Sequence, residues 1–338
     1  MPDGARLLVP WGSRNVQRVA IPNSVRPRMR PPVWSPRQPP AKRFLMDSFR
    51  RDRSIGFLCL VITAFGWALN WPFMKLLLQQ WPPLFARGLA GTLAAVILAS
   101  LALSRGESLQ VPREAIPRLI FASFTNVFAW MGFGTMAMKY VTVGEGALIA
   151  YTMPIWAMLF AWPFLHVRPT MRDIAALVLG IAGVALLLGA DGFAFTAGKL
   201  IGIALALACA ILFALGNVLN RAQLPMPPLV VVAWQVGLGC FVMLVIGIAL
   251  EHPDYAAITP AGVACLVYMT LVPMGLCYLT WFETLRRLPP TSASTGMLLV
   301  PVIGVVSAAF ILGEPLGLRE MAAMALTLGG VTLALQKA

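Results

Sequence analysis

Ten apolar stretches of about 20 residues, separated by short polar breaks, follow one another from Ser54 onward. About 20 helical residues cross a hydrocarbon layer of roughly 30 Å. The expected spans are 55–75, 83–104, 115–138, 142–165, 172–190, 199–220, 228–250, 260–283, 290–312 and 318–336. None alternates polar and apolar residues as a barrel strand does. The sequence therefore predicts an all-α integral membrane protein with ten transmembrane helices.

The composition agrees with a chain that lies in a bilayer. Hydrophobic residues make up 59% of the 338 positions and charged residues only 12%, against about 25% charged in soluble domains. This argues against a soluble enzyme, a DNA-binding domain and a coiled coil. The five cysteines lie inside apolar stretches and form no CxxC pair, so we interpret them as packing residues. No metal site and no cofactor is implied.

Most of the formal charge of +13 lies in a leader, since residues 1–53 hold 12 Lys/Arg and 3 acids. The leader is rich in Pro and Arg, so we expect it to be disordered and expect no nucleic-acid partner. A targeting peptide and a tether to anionic lipid are two interpretations of it. We prefer a third, in which Met46 is the start and residues 1–45 belong to an over-extended gene prediction.

The positive-inside rule orients the chain in the membrane. With a cytoplasmic N-terminus, the cytoplasmic side carries 14 Lys/Arg from Ala41 onward, and the other side carries the 5 residues Lys75, Arg87, Lys139, Lys199 and Arg319. Both termini are therefore expected in the cytoplasm, with the lipid bilayer as the surrounding partner.

The chain repeats itself at a spacing of 145–147 residues. The matched pairs are Pro83 and Pro228, Lys75 and Arg221, Pro154 and Pro301, and Gly183 and Gly330. The repeat divides the chain into two five-helix domains, 54–190 and 191–338. Because five is odd, the second copy must begin on the opposite side of the membrane. Inverted repeats are typical of secondary transporters, in which two halves rock about one central site and give alternating access.

Polar and aromatic side chains at mid-depth are the candidates for a substrate site. Amides are costly to leave unpaired in hydrocarbon, and aromatic walls with a few amides describe a small-molecule pocket. The substrate-binding candidates are Trp67, Asn70, Asn126, Trp130, Tyr151, Asn217 and Tyr278. Hydrogen bonds between helices and interfacial aromatic belts are the rival interpretations.

Two prolines and two acids are candidates for the moving parts. Pro154 and Pro301 lie within spans four and nine, where each removes a backbone donor, so they are hinge candidates, with passive curvature as the rival. Glu145 and Glu283 are gate or coupling candidates, unless they are ordinary rim residues. Arg87 is also expected near the rim. A cavity so poor in fixed charge suits neutral, zwitterionic or amphipathic metabolites.

The end of the second copy carries a recognisable pattern. It consists of Pro301, then Leu312-Gly313-Glu314-Pro315-Leu316, then Gly329-Gly330-Val331. Over residues 50–338 the chain resembles the EamA-type branch of the drug/metabolite transporter superfamily. The first copy departs from the pattern, with His166-Val167-Arg168 in place of glycine and glutamate. The resemblance implies a ten-helix carrier of the bacterial inner membrane that imports or exports small metabolites, and it names no substrate.

Two other function classes remain at this point. An integral-membrane enzyme would need a cluster of reactive groups, but the two histidines, His166 and His252, fall on opposite faces, and no nucleophile elbow, P-loop or HExxH is present. A non-transporting subunit or scaffold would show no flux. We favour a non-enzymatic secondary carrier with a small-molecule substrate, and a homodimer stays open.

Overall fold

The computed structural model describes residues 40–188 and 196–336. Residues Asp47–Ala338 form one compact unit, and the described part of the other unit, Met1–Met46, is the beginning of the first helix. Residues 40–53, which were expected to be disordered, are helical. No glycine or proline interrupts residues 41–55, so the first helix extends beyond its apolar span. The interpretation that residues 1–45 belong to an over-extended gene prediction concerns mainly residues outside the described part, which begins at residue 40.

The described chain is helical, without strands, and confirms the expected fold class. The helices are α1 Pro40–Leu77, α2 Pro83–Ser104, α3 Arg113–Ala137, α4 Val143–Leu165, α5 Met171–Leu188, α6 Ala197–Leu219, α7 Pro228–Glu251, α8 Pro260–Arg287, α9 (Pro290–Met297 and Leu299–Leu312) and α10 Leu318–Leu335. Within the described residues, nine of them are long and apolar enough to span a membrane. The remaining one, α5, occupies the fifth expected span, 172–190, and adjoins residues outside the described part.

The two repeats run in opposite directions through the bundle. Lys75, in the last turn of α1, donates a hydrogen bond to the Val141 carbonyl oxygen at 2.7 Å. Lys199, in the first turn of α6, forms an ion pair with Glu145 at 3.0 Å, close to Val141 in the chain. The first helix of one repeat therefore ends on the face where the first helix of the other begins. We call this the Lys75 face (Lys75, Glu145, Lys199, Glu314) and the opposite one the Arg287 face (Asp52, Glu283, Arg286, Arg287).

Helix ends repeat the inversion at the level of single residues. Four described residues have a positive φ: Gly106 (76°), His166 (57°), His252 (48°) and Gly313 (69°). They form two pairs, separated by 146 and 147 positions. Each follows the end of a helix, where a left-handed residue terminates the hydrogen-bond ladder. The sequence repeat is thus also a repeat of backbone conformation, and it holds even where glycine is replaced by histidine.

Helices α5 and α10, the last of each repeat, pack through reciprocal glycines. A Cβ atom at Gly183 would lie 2.7 Å from the carbonyl oxygen of Ala323, and one at Gly330 would lie 2.6 Å from that of Ala176. Ala176 and Ala323 are themselves 147 positions apart. Each repeat therefore presents the same two small residues to the other, as small-residue packing between membrane helices requires.

Candidate functional site

A central cavity of about 270 Å³ lies between the two repeats. Seven helices line it, α1–α4 from the first repeat and α6, α8 and α9 from the second. The lining consists of Trp67, Asn70, Trp71, Met74, Arg87, Asn126, Trp130, Met131, Gly134, Thr135, Met138, Tyr151, Met153, Phe213, Pro273, Met274, Tyr278, Trp281 and Met297. It is mostly apolar and aromatic, with a few amide and hydroxyl groups, as in most small-molecule sites.

Six of the seven substrate-binding candidates line this cavity, and Asn217 does not. Asn217 lies in the last turn of α6, two residues before the helix ends, and its side chain is exposed. The cavity wall on α6 is supplied one turn earlier, by Phe213. The sequence predicts an apolar span up to residue 220 but does not indicate where along it the cavity ends, so the position of Asn217 beyond the cavity could not be predicted.

Trp67 joins α1 to α8 at the cavity wall. Its indole Nε1 donates a hydrogen bond to the Pro273 carbonyl oxygen at 2.9 Å. The Trp67 ring lies 5.8 Å from the rings of both Tyr278 and Trp281, edge-on to the first. Since Trp67 belongs to the first repeat and its three partners to the second, this aromatic wall spans the interface between the repeats.

A second group of aromatic residues also lines the cavity. The Trp130 ring lies 4.5 Å from that of Phe213 and 6.1 Å from that of Tyr151. Tyr151 in turn lies 6.2 Å from Trp71. These contacts link α3, α6, α4 and α1, so a ligand in the cavity would meet ring faces and edges from several helices.

Two π-helical segments present cavity residues. Residues Phe124–Phe133 of α3 carry Asn126 and Trp130, and residues Val272–Leu276 of α8 carry Pro273 and Met274. Wide π-helical turns re-aim side chains and occur often at functional sites. Within α8 the disturbance has a local cause, because Pro273 lacks the N–H that an α-helix requires.

Arg87 is the cavity residue that the sequence placed elsewhere. It was expected near the rim, but it lines the cavity and is only 5% exposed. Its Nη1 atom donates a hydrogen bond to Asn70 Oδ1 at 2.9 Å. The cavity thus contains a fixed positive charge, which corrects the expectation of a site poor in charge. The cause is the loop after α7: Trp81 donates to the Asp254 carbonyl oxygen at 2.9 Å, and Phe85 packs 5.6 Å from Tyr255, so protein covers the start of α2.

Glu145 belongs to a polar network on the Lys75 face. Its carboxylate accepts a hydrogen bond from the backbone N–H of Thr142 at 3.0 Å, and the Thr142 hydroxyl accepts one from Glu145 N at 3.1 Å. This capping box begins α4, and the pair with Lys199 ties α4 to α6. Lys75 adds hydrogen bonds to the carbonyl oxygens of Met138 and Val141, just beyond α3.

Glu314 is a second link on the same face. It follows the left-handed Gly313 at the end of α9, and its carboxylate accepts hydrogen bonds from the backbone N–H groups of Val143 at 2.8 Å and Gly144 at 3.2 Å. A carboxylate at a helix N-terminus satisfies donors that have no partner within the helix, and it matches the helix dipole. The second repeat thereby caps α4 of the first.

Glu283 lies on the Arg287 face, partly exposed. It pairs with Arg286 at 2.7 Å and with Arg287 at 2.9 Å within α8, and Arg287 also pairs with Asp52 of α1 at 2.5 Å. The two gate candidates are therefore on opposite faces, and both take part in ion pairs.

The hinge candidates lie beside breaks in their helices. Helix α4 is interrupted at Tyr151 and Thr152, and α9 at Leu298. Tyr151 and Leu298 are 147 positions apart, like Pro154 and Pro301, which lie in the first turn after each break. A proline in a first helical turn sacrifices no hydrogen bond, so both prolines fit at the beginning of the second segments, Met153–Leu165 and Leu299–Leu312.

In the part of the chain that the structure describes, no group of three or more His, Cys, Asp or Glu residues is placed to hold a metal ion. The five cysteines are free thiols, four of them buried. The cavity itself presents ring surfaces, amides, hydroxyls and one guanidinium.

Curated relatives cover most of the chain. The uncharacterized transporter YvbV of Bacillus subtilis is 26% identical over 82% of this chain and 90% of its own. A probable amino-acid metabolite efflux pump of Salmonella typhimurium is 28% identical over 83% and 94%. A probable terminal-alkyne amino-acid exporter of Streptantibioticus cattleyicolor is 27% identical over 81% and 91%.

The fold has also been observed by crystallography. The crystal structure of another protein superimposes on this chain with a TM-score of 0.59 and 24% sequence identity. The superposition covers 84% of this chain and 96% of the crystallised one. The sequence model of the EamA-like transporter family matches residues 54–189 and again residues 200–336. Those two matches follow the two inverted repeats that enclose the cavity, and the chain belongs to the EamA-like transporter family.

Proposed function

We propose that this chain is a secondary carrier that moves small zwitterionic or amphipathic metabolites, amino acids and their derivatives foremost, by alternating access through the central cavity. The observation that carries the proposal is the cavity itself, enclosed by both inverted repeats and lined by six of the residues expected to contact substrate. Two relatives that the chain matches over most of its length are named a probable amino-acid metabolite efflux pump and a probable terminal-alkyne amino-acid exporter.

The conformational change would open one face while the other closes. The Lys75 face is tied by the Glu145–Lys199 ion pair and by the cap that Glu314 provides to α4, so substrate entry from this side requires these contacts to break. We assign Glu145 and Glu283 as gate residues of the two faces. The breaks beside Pro154 and Pro301 are the proposed hinges.

The Lys/Arg distribution supports a cytoplasmic location for the Arg287 face, in the inner membrane of a bacterium, with both termini on that side. Outward transport would then pass from the Arg287 face to the Lys75 face. The proposed carrier is not an enzyme, and it uses no cofactor.

The decisive experiment is flux in liposomes that contain the purified full chain. Radiolabelled amino acids and amino-acid derivatives should exchange across these vesicles at rates well above those of protein-free vesicles. A scaffold would give no flux, and an enzyme would convert the compound, which mass spectrometry of the vesicle contents detects. Absence of flux for the whole panel would contradict the proposal.

A further inference from the structure

The Arg87 guanidinium has no charged partner in the described chain. One of its five N–H donors bonds to Asn70, and Nε is buried without a hydrogen-bond partner. None of the described residues that line the cavity is Asp or Glu. A cation is thus held inside the protein, in contact with the cavity, and balanced only by the dipole of a neutral amide.

Such an arrangement is unfavourable in the absence of a ligand. Burying a charge that lacks an opposite charge is costly, because the protein interior replaces hydration poorly. Asn70 fixes the side chain but cannot neutralise it. An anion in the cavity would remove the deficit, and a planar guanidinium fork matches the two oxygens of a carboxylate.

The charge is a departure from the internal repeat. Pro83 and Pro228 begin α2 and α7, and at the same spacing of 145 residues the position matching Arg87 holds Val232. Val232 is partly buried and packs against the core. The fold therefore accepts an aliphatic side chain at this position of the repeat, and helix packing alone does not account for an arginine.

The rest of the cavity defines what else the ligand carries. Ring surfaces of Trp67, Trp130 and Tyr151 surround the space, whose volume of about 270 Å³ suits one small molecule. Aromatic faces accept apolar groups and also an ammonium group. A ligand with a carboxylate at one end and an apolar or ammonium-bearing body at the other would contact both the Arg87 guanidinium and the aromatic rings.

We propose that Arg87 binds the carboxylate of the transported molecule, with Asn70 as the residue that positions the guanidinium. The substrate class is small monocarboxylates with an apolar or aromatic body, α-amino acids included. This inference rests on the proposed transport function, and it adds the group that the carrier recognises and the residue that selects for it.

Matched compounds that differ only in the carboxylate test the proposal. The probes are phenylalanine, leucine and 3-phenylpropionate, each compared with its amide, and binding to the purified full chain is followed by tryptophan fluorescence. We expect the carboxylates to bind about 10- to 100-fold more tightly than the amides. In Arg87→Gln this ratio should fall to near one, and Arg87→Lys should keep part of it.

Two further variants make the result specific. Arg118→Gln removes a partly exposed arginine that donates a hydrogen bond to the Ala222 carbonyl oxygen and does not line the cavity. This variant should leave the ratio unchanged. Asn70→Ala should lower carboxylate affinity more than amide affinity, which gives a second measurement should Arg87→Gln fail to fold.

Three outcomes would overturn the proposal: equal binding of amides and carboxylates by the wild type, a preference that survives in Arg87→Gln, or no binding of any probe. Transport in liposomes separates this failure from that of the proposed function. Flux of amides or other uncharged metabolites would leave the carrier intact and remove the role of Arg87, whereas absence of all flux would remove both.

Discussion

Glu314 accepts a hydrogen bond from the backbone N–H of Val143 at 2.8 Å and so joins the end of one repeat to the start of a helix in the other. Glu251, the last residue of α7, caps α2 in the same way through Phe85 N at 2.9 Å. The positions 147 and 146 residues earlier hold Val167 and Arg105, which cannot accept such bonds. The carboxylate caps between repeats therefore lie on the Lys75 face and have no counterpart at the matching positions of the other face.

Glu314→Gln should weaken closure of the Lys75 face. The amide keeps one acceptor but loses the charge that favours a helix N-terminus, and hydrogen bonds to charged groups contribute about 1.5–3 kcal/mol. We expect Met138→Cys, a buried reporter beneath Lys75, to react with a membrane-impermeant thiol reagent about 10-fold faster in the Glu314→Gln background.

Glu320→Gln is the matched control for this experiment. Glu320 lies on the same face, but its carboxylate accepts a hydrogen bond from Gly317 N within its own segment, at 2.7 Å. Its loss removes an equal charge without breaking a contact between repeats. Equal labelling rates in the two variants would show that the cap does not hold the face closed.

Lys75→Met should reduce stability. The ammonium group donates to the carbonyl oxygens of Met138 and Val141, and methionine leaves both without that partner while keeping the apolar stem. The expected cost is about 1–3 kcal/mol, seen as a lower apparent melting temperature of the purified protein. Lys139→Met is the control, because the side chain of this lysine is exposed and the substitution keeps its backbone hydrogen bond to the Met136 carbonyl oxygen. A similar loss in both variants would refute the assignment.

The spans, the repeat and six residues of the cavity lining follow from the sequence. An amide inside an apolar span needs a polar partner or a cavity, and this reasoning selects Asn70 and Asn126, which line the cavity. Depth along the helix, which apolar length measures well, selects the aromatic residues Trp67, Trp130 and Tyr151.

Arg87 shows where that reasoning ends. The expectation that Arg87 lies near the rim rests on its short distance from the start of α2. It assumes that a helix begins at the lipid–water boundary. Here the loop after α7 and the carboxylate of Glu251 cover the start of α2, so the residue is deeper than its position in the sequence indicates. Loop placement depends on contacts between distant segments, and apolar periodicity carries no information about it.

The glycines between α5 and α10 make a further test of the repeat. Gly330→Ala would place a Cβ atom 2.6 Å from the Ala176 carbonyl oxygen, and such overpacking costs about 1–3 kcal/mol. Gly329→Ala adds the same atom where nothing lies within 4 Å and should be neutral or stabilising by up to about 1 kcal/mol. The measurement is the apparent melting temperature of each variant, which should fall for Gly330→Ala and not for its neighbour Gly329→Ala. A lower melting temperature of Gly329→Ala would contradict the packing described.

Trp130→Ala tests the aromatic wall as a binding surface. Its ring packs at 4.5 Å on Phe213 and faces the cavity, so its removal should weaken the apparent affinity for an aromatic substrate by about 10-fold or more, since aromatic contacts exceed their area burial by about 0.5–1.5 kcal/mol. Trp162→Ala is the control, because Trp162 is 56% exposed and does not line the cavity. The measurement is the concentration dependence of uptake into liposomes. If both tryptophan variants lose substrate affinity to the same extent, the loss reflects a general change in the helix bundle. The result would then contradict a contact between Trp130 and the substrate.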